Sequence, residues 1–192
     1  MEHVIKKGEN AQEIKYNKWA ILFCVVTMTF MSCIDGSIVN VALPKISYDL
    51  NKPILDTQWI VTTYLMVISA LVLLCGRIGD IKGKCKVFKV GVLIFTIGSF
   101  FSGLSKTLPL LIVSRAIQGV GGSCAMATGM GIITAFFNEK ERGKAMGLSA
   151  SAVAMGVMVG PALGGILVSI RWDLIFWINV PIGIIAFLLS MV

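Results

Sequence analysis

The sequence has 192 residues, 56% of them hydrophobic and only 14% charged, with a mean hydropathy of +0.87 and a formal net charge of +7. Soluble domains carry about a quarter charged residues, so an ordinary water-soluble core is excluded. The positive charge sits in short clusters between long apolar runs, where a bilayer puts it. A nucleic-acid module would need a polar folded domain to carry its patch, and none is present.

Residues 1–18 are polar and mixed in charge, with Lys6, Lys7, Lys15 and Lys18 against Glu2, Glu9 and Glu13. They read as a cytoplasmic tail. The apolar run behind them is far longer than the ~7–15 residues of a signal-peptide core. Six spans follow, each near the ~20 residues that cross a bilayer. Span 1 is predicted over Trp19–Leu43, stopping at Pro44, and holds one acid, Asp35. Span 2 is predicted over Trp59–Cys75 and span 3 over Val87–Leu104. Span 4, Leu108–Phe137, holds one base, Arg115, and span 5 covers Ala145–Ile170. Span 6 starts near Leu174 and reaches Val192 with no basic anchor behind it. The chain therefore reads as stopping at or within its sixth span.

Lys and Arg alternate by face. The tail and the connections after spans 2 and 4 hold twelve, and the connections after spans 1, 3 and 5 hold four. The positive-inside rule then puts both termini in the cytoplasm, as an even number of spans requires. The expected location is a cell membrane, crossed several times.

Asp35 and Arg115 are the ionisable residues inside spans. Each costs at least ~2.5–3.5 kcal/mol at the bilayer centre, so each is a functional candidate by default. Asp35 lies eight residues before Leu43, and Arg115 eight residues after Thr107. At 1.5 Å per residue both lie roughly 12 Å below the outer surface, so they can pair if spans 1 and 4 are neighbours. A guanidinium beside a carboxylate favours its charged form, and separating them favours protonation. That is the physical basis of a proton-coupled site. A structural ion pair, or snorkelling toward the headgroups, is the competing reading.

Residues 76–88 read as a tight cytoplasmic loop, with Gly76, Gly79 and Gly83 for the turn and Asp80 among the five bases Arg77, Lys82, Lys84, Lys86 and, just beyond, Lys89. Span 5 carries Gly156, Gly160, Pro161, Gly164 and Gly165. Glycines four apart make a smooth packing face, and Pro161 removes a backbone donor and can kink the span.

Enzyme chemistry is disfavoured. There is no G-x-x-x-x-G-K-[ST] nucleotide loop. Gly119-Val-Gly121 begins like a dinucleotide turn, but Cys124 stands at the third glycine and no strand precedes it. His3 is the only histidine, so no Ser/His/Asp or Cys/His set exists. The five cysteines include no C-x-x-C pair, which argues against a metal site. No cofactor is expected.

These segments together resemble the major facilitator superfamily over nearly the whole chain after the tail. Residues 76–88 are similar to its G-x-L-a-D-r-x-G-r-k signature between spans 2 and 3, with Ile81 and Cys85 where bases are usual. Arg115-Ala-Ile-Gln118-Gly119 is similar to the R-x-x-Q-G signature of span 4, and Gly156–Gly165 to the span 5 antiporter signature G-x-x-x-G-P-x-x-G-G. Asp35-Gly-Ser-Ile-Val-Asn40 resembles the end of span 1 in the fourteen-span drug:proton antiporter branch. Arg171-Trp172 and Phe176 to Gly183 resemble that branch's start of span 6.

The resemblance implies an all-α membrane protein, the six-span N-terminal half of a major facilitator fold built as a three-plus-three inverted repeat. It implies proton-coupled efflux of small amphipathic or cationic compounds such as drugs. Asp35 and Arg115 would couple protons, Asn40 and Gln118 would offer hydrogen bonds, and Gly76, Asp80, Gly83 and Lys84 would gate the cytoplasmic side. The expected partners are the bilayer, protons, a small-molecule substrate, and either the missing C-terminal half or a second copy, since alternating access needs two halves. Export of one specific metabolite, or a truncated fragment that does not transport, are the alternatives.

Overall fold

The computed structural model describes residues 18–191, so all of the expected tail but Lys18, and Val192, lie outside it. The described chain is a helical bundle: α1 (Lys18–Asp49), the single turn α2 (Ile54–Thr57), α3 (Trp59–Lys82), α4 (Lys84–Leu104), α5 (Leu108–Phe136), α6 (Glu139–Ile170), the single turn α7 (Leu174–Trp177) and α8 (Asn179–Met191). Five helical segments are long and apolar enough to cross a membrane, with α2 and α3 counted as one; the sixth, Leu174–Ser190, is apolar but shorter. Large apolar side chains point outward all along the bundle, among them Leu73, Leu74, Met158, Ile166 and Ile170. In lipid such a surface is at no disadvantage, and helices satisfy their own backbone groups there.

Several boundaries differ from the sequence reading; α4 and α6 begin earlier than spans 3 and 5, at Lys84 and Glu139, and three differences matter more. Span 1 does not stop at Pro44, since α1 runs on to Asp49. Proline removes only one backbone donor. Ile46, fully buried with Leu108, Leu111, Ile175 and Phe176, anchors the turn beyond it. Residues 76–82 are not a loop: they are the last turns of α3, packed on α5. Only Gly83 breaks the helix, at φ 97° and ψ 122°. There a Cβ would meet nothing within 4 Å, so strain alone dictates glycine. Gly83→Ala is expected to cost roughly 1–2 kcal/mol, seen as a lower melting midpoint in detergent.

Span 6 is interrupted between α7 and α8, although Ile178 keeps helical dihedrals (φ −62°, ψ −28°). Pro181 has no N–H to give the Trp177 carbonyl, so one rung of the ladder is missing there.

The packing is reciprocal. α1 lies mainly on α6, and α5 packs on both α4 and α3, while α4 also contacts α8. The first long helix of each trio thus packs on the second of the other, the pattern of a three-plus-three repeat. At one end Lys18 of α1 pairs with Glu141 of α6 at 2.7 Å, and Trp19 meets Phe137 edge-on at 5.8 Å. Arg142 donates from Nη2 to the Thr134 carbonyl at 2.9 Å, closing the last turn of α5.

Candidate functional site: a buried carboxylate held by four helices

Asp35, Arg115, Gln118, Ser99 and Asn179 meet inside the bundle, brought from α1, α5, α4 and α8. All five are excluded from solvent. Arg115 donates from Nη1 to Asp35 Oδ2 at 2.5 Å and to Gln118 Oε1 at 2.7 Å. Gln118 Nε2 donates to Asp35 Oδ1 at 2.9 Å and to Ser99 Oγ at 2.8 Å. Asn179 Nδ2 donates to the same Oδ1 at 2.8 Å. The carboxylate therefore accepts three hydrogen bonds, two of them on one oxygen.

The rest of the guanidinium is held differently. Nε reaches the Ile60 carbonyl of α3 at 3.4 Å, while Nη2 is buried with no hydrogen-bond partner among the described residues. The Tyr64 ring lies 4.0 Å from the guanidinium carbon and the Phe176 ring 5.7 Å from it. Aromatic faces attract a cation electrostatically, more strongly when water is absent. The charge is thus sandwiched between one carboxylate and two π faces.

The expected pairing of Asp35 with Arg115 is present, and Gln118 joins both. Asn40 does not. Its amide donates to the Gly36 carbonyl of its own helix at 3.1 Å, and the residue is exposed. Five residues advance about 500°, so Asn40 points roughly 140° away from Asp35. Asn179 supplies the asparagine donor at the carboxylate, and Ser99 completes the shell. Both were visible only as polar residues inside apolar runs, the same signal that marked Gln118.

Asp80 and Lys84 form an ion pair at 3.3 Å that spans the Gly83 joint. Both are well exposed, and such pairs contribute about 0–1 kcal/mol. Gly76 only brushes α5, whereas a Cβ on Gly79 would come within 2.8 Å of Thr128 Cγ2. Gly156, Gly160 and Gly164 face α1, where Cβ atoms would strike Cys33, Ser37 and Ile38. Gly165 has open space, and Pro161 is exposed with α6 helical through it. So three of the four glycines serve the α1·α6 contact.

A cavity of about 380 Å³ adjoins the cluster through Gly36 and Tyr64. Met28, Met126, Met130, Thr29, Ser32 and Ser149 also line it, and among the described residues no charged side chain does.

A sequence profile of the Major Facilitator Superfamily matches residues 25–192. The chain belongs to the major facilitator superfamily. Among its relatives is the riboflavin transporter RibZ of Clostridioides difficile, 44% identical over 174 residues, which is 90% of this chain and 38% of RibZ. The multidrug transporter protein MdtP of Bacillus subtilis is 34% identical, over 92% of this chain and 33% of its own length. The proton:xylose symporter XylE has the same fold at a TM-score of 0.79 and 14% identity, covering 92% of this chain and 44% of XylE. This facilitator chain thus spans about two fifths of the length of its relatives. The match and the apolar helices make it a multi-pass membrane protein and the N-terminal half of a major facilitator fold.

Proposed function

We propose that this chain is the N-terminal half of a proton-coupled exporter of small amphipathic compounds, sited in a cell membrane with its N-terminus in the cytoplasm. The single observation behind this reading is the Asp35 carboxylate, sealed from water yet next in sequence to Gly36, which lines the cavity. A buried pair is weak evidence for stability, because desolvation offsets its attraction. Its retention in an oily bundle points to a role in switching. Protonating Asp35 removes the counter-charge of Arg115, so the two protonation states favour different packings of α1, α5 and α8. Tyr64 touches both Arg115 and the cavity, and carries that change to the cargo.

The uncharged cavity wall favours selection by shape and polarisability. Thioethers and an aromatic face suit flat, apolar ring systems, and three aliphatic hydroxyls with the Tyr64 phenol give sparse polar anchoring. Charge-based selection of cationic cargo by Asp35 is disfavoured, because three donors already occupy its oxygens. Alternating access requires a second half, either a further six-span segment or another copy. Asp80 and Lys84 would lock the cytoplasmic ends during that motion, and the Gly156–Gly164 face would let α1 and α6 stay in close contact. Export of one specific metabolite is the second reading, favoured by the 44% identity to a riboflavin transporter.

The test is transport by a two-half form in proteoliposomes that report internal pH. Asp35→Asn is expected to lower proton-driven accumulation at least tenfold while leaving downhill exchange. Unchanged proton coupling would remove Asp35 from the mechanism. Competition between riboflavin and lipophilic dyes separates the metabolite reading from the broad one.

A further inference from the structure

A second feature lies at the opposite end of α4 from Ser105, and two of its bases, Lys86 and Lys89, take no part in the proposed transport cycle. The last turns of α3, the first turns of α4 and the end of α5 enclose a cleft of about 520 Å³. Asp80, Lys84, Lys86 and Lys89 line it, above a floor that includes Cys85, Ile132 and Ala135. Three ammonium groups thus face one carboxylate, which is already engaged by Lys84. Lys84 cannot swing freely. A Cβ on Gly131 would meet its Cδ at 2.8 Å and its Nζ at 3.1 Å, so its stem lies flat on α5. Lys86 and Lys89 form no hydrogen bond or ion pair among the described residues, and Lys89 is half-buried. Lys89 also borders a small apolar void with Ile21, Phe88 and Leu189.

A half-buried ammonium without a counter-ion is costly unless something supplies the charge. From this geometry we infer that the cleft binds the headgroup of an anionic phospholipid, with its phosphodiester against Lys86 and Lys89. Two features favour a lipid over a free ion. The floor is apolar, which suits a glycerol backbone and the start of an acyl chain. Ile78, Ile81 and Val90, each next in sequence to a lining residue, are exposed apolar side chains, and in a bilayer they would set the cleft beside the hydrocarbon. Basic pockets between helices at this depth are a known physical solution for anionic headgroups. The assignment holds whatever cargo the bundle carries.

Native mass spectrometry of the full chain in neutral detergent tests it, with phosphatidylglycerol titrated against phosphatidylcholine. The parent is expected to retain phosphatidylglycerol and not phosphatidylcholine, and inorganic phosphate is expected not to displace it. The double variant Lys86→Gln/Lys89→Gln should bind about thirtyfold more weakly. Lys45→Gln/Lys52→Gln, with the same charge change at the other end, should bind as the parent does. Equal weakening in both variants, unaltered binding in the first, or displacement by phosphate alone would each overturn the assignment. A readout without any variant is alkylation of Cys85 in the parent, followed by peptide mass. Phosphatidylglycerol vesicles should slow it relative to phosphatidylcholine vesicles, and equal rates would count against a lipid in the cleft.

Discussion

Replacing Arg115 with leucine is expected to destabilise the bundle by about 3–5 kcal/mol, among the largest effects any single side chain here can produce. The physical cause is what the substitution leaves behind. Asp35 keeps only the amide donors of Gln118 and Asn179, with no compensating positive charge in a site shut off from water. Gln118 loses the donor to its carbonyl oxygen, and Tyr64 and Phe176 lose the cation between their rings. Asp35→Asn inverts the problem by burying an unneutralised guanidinium, and it should also be costly. The informative comparison is the double variant Asp35→Asn/Arg115→Leu. Removing both charges also removes the penalty of each single change, so the double variant should be less destabilised than the two losses summed. A double-mutant cycle on unfolding in detergent measures this, and contacting residues in one network couple by about 0.5–3 kcal/mol. Additive losses would mean that the two groups do not sense each other. A stable Arg115→Leu would mean that the charge is not buried as described.

The pairing was legible in the sequence even though the boundary used to reach it was not. Counting residues from Leu43 puts Asp35 below an outer end there, whereas α1 continues past Pro44 to Asp49. It succeeded because α1 extends past the point where α5 begins, so the extra turn does not shift Asp35 relative to Arg115. Charge in an apolar run is a signal that survives errors of a turn, since its cost in lipid depends on burial and not on the exact helix end. Amides carry a weaker signal. Asn40 and Asn179 look alike on the page, and only the rotation of each about its helix separates them, a tertiary fact for Asn179. Glycine is ambiguous in another way. Residues 76–83 hold three glycines, and in a soluble chain they would mark a loop. Here Gly76 and Gly79 sit within α3 and permit or tolerate contact with α5, and Gly83 alone makes the turn. Hydropathy cannot distinguish a glycine that ends a helix from one that lets two helices touch.

That second use of glycine gives the other large expected effect, at the crossing of α4 and α5. A Cβ on Gly98 would lie 2.6 Å from both Cα and N of Gln118. A Cβ on Gly121 would overlap the Phe95 backbone nitrogen, and one on Gly91 would come within 2.9 Å of the Gly121 carbonyl. These neighbours are backbone atoms, so no rotamer change relieves the overlap and the helices must separate. Gly98→Ala is expected to cost about 3 kcal/mol, the upper end of ordinary overpacking. Gly165→Ala, a helical position with open space, should be neutral or raise stability by roughly 0.5–1 kcal/mol. Melting midpoints in one detergent compare the two, and equal midpoints would mean that α4 and α5 do not approach this closely. Gly98 also bears on the site. Pushing Gln118 away from α4 lengthens its bond to Ser99 Oγ and withdraws Nε2 from Asp35. The variant should therefore disturb proton coupling even where enough folded protein survives to be assayed. A methyl group on α4 would thus reach the carboxylate of α1 through the backbone of α5, because close helix contact and a fully bonded acid are produced by the same glycine.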